Sequence, residues 1–266
     1  MSKRRNLQER VRAFGDLRDV LESMKNLAMV EIGKLARIEP AGRHMLEELS
    51  QIASATASYH PVLRQPPPAR LYVLVGSERG FCGDFNEGVA RCWAHVRRGE
   101  PDALAIAVGS VLAERLAPNG IAASVAGPAI AEDLDRCLVE LLHAVDAVEK
   151  RGAVPLGLTA IANGLERIQS IAVLPFEPPR VAPGAPPPDL NLPAKAFVRE
   201  FVDRYADAAL HRVFATSLLC ENRARLAHMT VAIDRLDENV AALGRRIHRL
   251  RQEEITQEVE SILLST

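Results

Sequence analysis

The 266-residue chain is 48% hydrophobic, enough for a sizeable core, while 4% aromatic content and a single Trp favour helix over a β-rich sandwich. Its 33 basic and 34 acidic residues leave a net charge of −1, without the strongly basic footprint of a general nucleic-acid binder. Cys82, Cys92, Cys137 and Cys220 form no C-x-x-C pair, so reduced thiols are expected rather than a zinc knuckle or a disulfide framework. Gln8, Glu9, Arg10 and Arg12 interrupt the apolar stretch that an export signal would need. ALAIAVGSVLA, from Ala103 to Ala113, is too short to span a bilayer, so no direct membrane insertion is expected.

The first element is a helix. Apolar residues at Phe14, Leu17, Leu21, Met24 and Ala28, then Leu35 and Ile38, then Met45, Leu49 and Ile52 follow the 3,4 alternation of a coiled-coil seam, with Glu31 and Gly42 interrupting it. Pro40 removes a backbone donor, so residues 3–57 read as one long helix or two nearly collinear ones, with a kink or restart near Glu39. The N-terminal arm is placed at 1–58.

The period then changes. LYVLV from Leu71, ALAIAV from Ala103, IAASVA from Ile121, PLGLTAI from Pro155 and SIAVLPF from Ser170 read as short buried strands, with a helix between Glu132 and Lys150. Strand and helix in alternation predict a small Rossmann-like α/β domain over 69–176 with a mostly parallel sheet. The proline-rich stretch at 177–193 reads as an extended linker.

The C-terminal arm, 194–266, carries the clearest pattern. Leu226, Met229, Ile233, Leu236, Val240, Leu243, Ile247 and Leu250 alternate by three and four without a miss, on a helix from about Lys195 to Leu264. Burying these side chains at roughly 1.5–3 kcal/mol each requires a partner helix, and the N-terminal seam is the intramolecular candidate. The fold class is therefore α/β plus a long antiparallel coiled coil in which 194–266 pairs with 1–58.

Between Leu71 and Asn86 the sequence reads LYVLVGSERGFCGDFN, a strand running into glycines. The spacing of Gly76, Gly80 and Gly83 matches neither the dinucleotide fingerprint nor the P-loop, and no Lys-Ser/Thr follows. A tight turn with Asn86 as helix N-cap is the simpler reading. The histidines are scattered, and Glu253 and Glu254 are adjacent and face different sides of a helix. No catalytic, cofactor or metal site follows from these residues. Two other readings need different chemistry: a small nucleotide-binding enzyme or sensor with helical arms, and a coiled-coil scaffold.

Together the motifs resemble the gamma subunit of the F-type ATP synthase, the central rotor shaft. GSERGFCGDFN is similar to the family's S-D-R-G-L-C-G-G-F-N turn, keeping Ser77, Arg79, Gly80, Cys82, Gly83, Phe85 and Asn86. SMKNLAM from Ser23 keeps Met24, Lys25 and Ala28 of A-M-K-M-V-A-A, and RQEEITQE keeps Arg251, Gln252, Ile255, Thr256 and Glu258. Arg235, His248 and Ser261 depart from the family's usual residues, and the region from about Gly99 to Pro193 matches only in outline.

The resemblance implies a shaft, not an enzyme in itself and with no cofactor, inside a hexamer of α and β subunits whose β chains hold the catalytic residues. Its foot would stand on a membrane ring of c-type subunits and dock an epsilon-type subunit, peripheral to the cytoplasmic face of the plasma membrane. The implied contacts to the α/β ring are Met24, Lys25, Arg251, Gln252, Thr256 and Glu258. Ile255, Val259, Ile262 and Leu263 would form an apolar bearing tip, and His211, Arg212 and Thr216 would face the membrane ring. Seven arginines from Arg223 to Arg251 against Asp234, Asp237 and Glu238 give a band of +4 suited to acidic loops on a surrounding ring.

Overall fold

A computed structural model describes residues 3–57, 69–116, 120–152, 156–174 and 191–264. Most of the linker expected at 177–193 lies outside the described residues. The chain forms two compact units, Met1–Met29 with Arg225–Thr266, and Val30–Ala224.

The first unit is built from parts of helices α1 (Lys3–Ala57) and α5 (Ala194–Leu264). Leu21 packs with Met229 and Ile233, Arg18 Nε donates to Asp237 at 2.8 Å, and Arg4 Nη1 reaches Glu254 at 2.6 Å. Partner numbers on α5 rise as those on α1 fall, so the helices run antiparallel. The eight positions read from Leu226 to Leu250 are all buried or half-buried.

On α1 the seam differs from the expected one. Leu7, Leu21 and Ala28 are buried and Val11 and Phe14 half-buried, whereas Leu17 is 46% exposed. A seam through Leu7, Val11, Phe14 and Leu21 passes through residue 18, and Leu17 is turned about 100° away from it. Arg18 fills that position with its stem and carries its charge out to Asp237 and Glu22.

The second unit holds a five-stranded sheet of order β3-β2-β1-β4-β5. Its strands are β1 (Ala69–Val75), β2 (Leu104–Val108), β3 (Ile121–Val125), β4 (Leu156–Asn163) and β5 (Ile168–Leu174). All pairings are parallel except the hairpin of β4 and β5. β1 is central and buried on both faces, which is why it reads as an unbroken apolar run. Leu71, Val73 and Val75 meet helix α4 (Leu134–Gly152) and Leu35, Leu46, Leu210 and Phe214 of the long helices. Tyr72 and Leu74 point the other way, into a core with Trp93 of α2 (Phe85–Gly99) and Leu112 of α3 (Ser110–Leu116).

Helix α1 runs through Pro40, which stands on its exposed side. In this unit Met45 and Ile52, expected in the seam, are 49% and 46% exposed, and Leu46 is buried in their place. Glu31, expected as an interruption, is itself buried. Among the described residues no helix is long and apolar enough to cross a membrane.

Candidate functional site

In open α/β sheets, ligands settle outside the carboxyl ends of the strands where the strand order reverses, here beside β1 and β4. The chain leaves β1 at Gly76, whose amide donates to Val108 O at 2.9 Å. A Cβ on Gly76 would lie 2.5 Å from Leu112 Cβ and 2.6 Å from Asn86 Oδ1, so only glycine fits. The next amide, Ser77 N, donates to Asn86 Oδ1 at 2.9 Å, while Asn86 Nδ2 donates to Ser77 Oγ at 2.8 Å. Cys82 Sγ lies 3.3 Å from the same hydroxyl, and all three side chains are buried. Asn163 Nδ2 donates to Phe85 O at 3.1 Å, tying β4 to the start of α2. The turn itself needs left-handed backbone at Gly83 and at exposed Phe81, both with φ of 62°.

The neighbouring amides are also taken. Glu78 Oε2 accepts from Ser110 N at 2.9 Å and from Gly127 N at 2.7 Å, and Oε1 accepts from Ser110 Oγ at 2.8 Å. Donors of this kind, at the start of a helix and in a strand-end loop, hold phosphate in nucleotide-binding sheets. Here they hold the chain's own carboxylate. Glu78→Gln keeps one carbonyl oxygen for the two amides but loses the charge, so it is expected to cost about 1 kcal/mol in urea unfolding. No loss relative to the parent chain would rule out a charge-assisted anchor.

The N-cap expected at Asn86 is thus corrected. Asp84 occupies the N-cap position without a side-chain capping bond, and Asn86 lies inside the first turn with its amide folded back on Ser77. Of the other turn residues, Ser77 and Cys82 are buried, and Arg79, Gly80 and Gly83 are exposed. The amides of Ser77, Ser110 and Gly127 are spent on the chain's own Asn86 and Glu78, so these donors are not offered to a phosphate. Among the described residues no group of three or more His, Cys, Asp or Glu is placed to hold a metal.

The remaining expected residues lie on the long helices. Met24 is half-buried against the Leu21–Met229 cluster, and Lys25 is half-buried. Arg251, Gln252, Thr256 and Glu258 are exposed, with Thr256 Oγ1 donating to Gln252 O at 2.9 Å. Ile255, Val259, Ile262 and Leu263 are 50%, 50%, 65% and 71% exposed. Arg4, near the start of the described α1, pairs with Glu254 of α5. His211 Nε2 lies 3.6 Å from Asp135 Oδ1 of α4, and Arg212 and Thr216 line a cleft against the sheet. All three side chains are half-buried.

Sequence reasoning missed a link between α1 and the α/β domain. Buried Glu31 accepts Ala131 N at 2.8 Å, and Lys34 Nζ donates to Glu31 at 2.8 Å and to Glu132 at 2.7 Å. Glu132, hydrogen-bonded by Lys34, has its carboxyl held below its usual range, and the Lys34 ammonium is raised by Glu132 first and Glu31 second. The partners stand about a hundred positions apart, so no local pattern announces them.

Burial pushes the fully covered Cys137 thiol from 9.0 up to about 11. The neutral thiol's contribution to stability is fully present below about pH 9 and is lost as pH rises from there through 11. Iodoacetamide at pH 8 is therefore expected to label Cys137 only as fast as the α/β unit opens. Labelling at the rate of a free thiol would overturn its burial.

These features define a class: a protein that combines an antiparallel pair of helical segments from distant parts of the chain with a doubly wound domain whose strand-end loops are braced by the chain's own side chains. Comparison with known proteins makes it specific. The family model described as ATP synthase matches residues 3–265. The ATP synthase gamma chain of Desulforamulus reducens is 25% identical over 280 residues, covering 99% of this chain and 98% of that one. The gamma chain of Saccharopolyspora erythraea is 26% identical over 298 residues, covering 99% and 96%. In fold, the chain resembles a subunit of the Euglena gracilis mitochondrial ATP synthase rotor, with a TM-score of 0.62 at 14% identity over 95% of this chain and 98% of that one. The OSCP/F1/c-ring structure of the same enzyme in rotational state 3 gives a TM-score of 0.66 at 14% identity, covering 98% and 92%. The chain belongs to the ATP synthase gamma-chain family.

Proposed function

We propose that the chain is the central rotor shaft of an F-type ATP synthase, transmitting rotation of a membrane ring of c-type subunits to the catalytic β subunits of an α/β hexamer. The observation that carries this reading is the antiparallel pairing of Leu21 with Met229 and Ile233, which makes one stiff element from two ends of a single polypeptide. Stiffness transmits torque, and no chemistry is needed from the shaft, so the chain is non-catalytic on its own and needs no cofactor. The α/β domain is assigned to the foot, where it would dock an epsilon-type subunit, with the assembly peripheral to the cytoplasmic face of the membrane.

Exposed Arg251, Gln252 and Glu258, with Thr256, Met24 and Lys25, are assigned to contacts with the hexamer. Ile255, Val259, Ile262 and Leu263 are assigned to an apolar bearing, because apolar contact sets no directional bond to be broken at each step. The membrane-ring contact is proposed for the α5 segment that carries His211, Arg212 and Thr216. The arm limits 1–58 and 194–266 are proposed as the extent of the shaft.

Reconstitution tests the reading. The full chain alone is expected to hydrolyse no ATP, and mixing it with α and β subunits should restore hydrolysis. Failure to form any stable complex with them would sink the assignment.

A further inference from the structure

A cleft of about 630 Å³ opens within the second unit, between α1, the β4–β5 hairpin and α5. Its volume falls in the range of small-molecule sites, roughly 300–1,000 Å³. The lining includes apolar Leu46, Ala162, Ile171, Ala209 and Val213, with Arg43 from α1 and Arg212 from α5. Among the described residues neither arginine has a carboxylate partner. One acid, Glu47, also lines the cleft, so two guanidiniums against one carboxylate leave an excess of one positive charge.

Two atoms in the wall are unusual. Arg212 Nε and Thr216 Oγ1 are buried and have no hydrogen-bond partner. Buried polar atoms are rarely left unpaired, because desolvation without a replacement bond is unfavourable. Thr216 follows Arg212 by four positions on α5, so the two side chains share one face of the helix. A guanidinium grips a carboxylate or phosphate with two parallel bonds, and because Nε and Oγ1 are covered, a rotation of both side chains toward the cleft is what brings them onto the same anion.

We propose that this cleft binds a small amphipathic organic anion, its carboxylate or phosphate head held by Arg43, Arg212 and Thr216 and its apolar body laid against the apolar lining residues Leu46 and Val213. Such a ligand joins α1, α5 and the sheet edge, and it goes beyond the shaft role, which does not require it.

The full chain, titrated with benzoate, phenyl phosphate, acetate and inorganic phosphate at constant ionic strength, provides the test. At saturation benzoate or phenyl phosphate should raise the melting temperature by about 2–4 °C, the better of the two identifying the head group. Acetate and inorganic phosphate, which lack the apolar body, should give less than half that shift. Arg43→Gln, at an exposed position where folding is not at risk, should weaken calorimetric binding about tenfold. Arg212→Lys, which keeps the charge but loses the fork, should weaken it severalfold. Absence of a shift from both amphipathic probes overturns the site, as does unchanged affinity in the two variants. An equal shift from acetate or inorganic phosphate overturns the amphipathic assignment.

Discussion

Asn86→Ala is expected to destabilise the α/β unit by about 2–4 kcal/mol, more than its small size would indicate. The side chain makes two hydrogen bonds in a site with almost no access to water, and its removal leaves Ser77 N buried without an acceptor. An unpaired buried amide costs about 1–3 kcal/mol, and the emptied volume adds to it. Asp84→Ala is the control: that residue stands at the N-cap but makes no capping bond, so the change should fall within about 0.5 kcal/mol. Trp93, the single Trp, is 1% exposed and packs against Tyr72 at 5.5 Å between ring centroids, so its fluorescence during urea unfolding reports on this unit. Equal midpoints for Asn86→Ala and Asp84→Ala would mean that the turn is held by something other than the Ser77–Asn86 pair.

The same residues show what could be read in advance. Five strands and the two long helices declare themselves because apolar period and proline placement are local. The glycine turn was legible as a turn, since its spacing fits no phosphate loop. Its internal partners were not: Asn86 looks like a cap because Asn commonly is one, and only the fold brings Ser77 back over it. The seam on α1 was misphased because Leu17 and Met45 are as apolar as Leu21 and Leu46. Hydrophobicity marks candidate positions, and only the partner helix selects among them. Glu31 shows the opposite failure, an acid that seemed to break the seam and instead caps Ala131 N from another element. The subunit contacts proposed for Ile262 and Leu263 leave no trace within one chain beyond the exposure of those side chains.

Met229→Ala is expected to loosen the paired helices by about 2–4 kcal/mol, the cost of deleting a fully buried side chain whose cavity α1 and α5 cannot collapse to fill. Met229 is 0% exposed and sits with Ile233 and Leu21 at the centre of the only buried apolar cluster recorded among the described residues of that unit. Charged flanks will not compensate, because Arg18–Asp237 and Arg4–Glu254 are solvent-accessible pairs and surface pairs of this kind contribute about 0–1 kcal/mol. Amide hydrogen exchange in the segments around Leu21 and Met229 is the appropriate measurement, with opening constants rising roughly 30-fold to 1,000-fold. Ile262→Ala should leave exchange there unchanged, since its side chain is 65% exposed and stands far along α5 from the Leu21–Met229 cluster. If the two variants exchange alike, the seam is not what holds the helices together, and the torque-bearing role assigned to their pairing loses its physical footing.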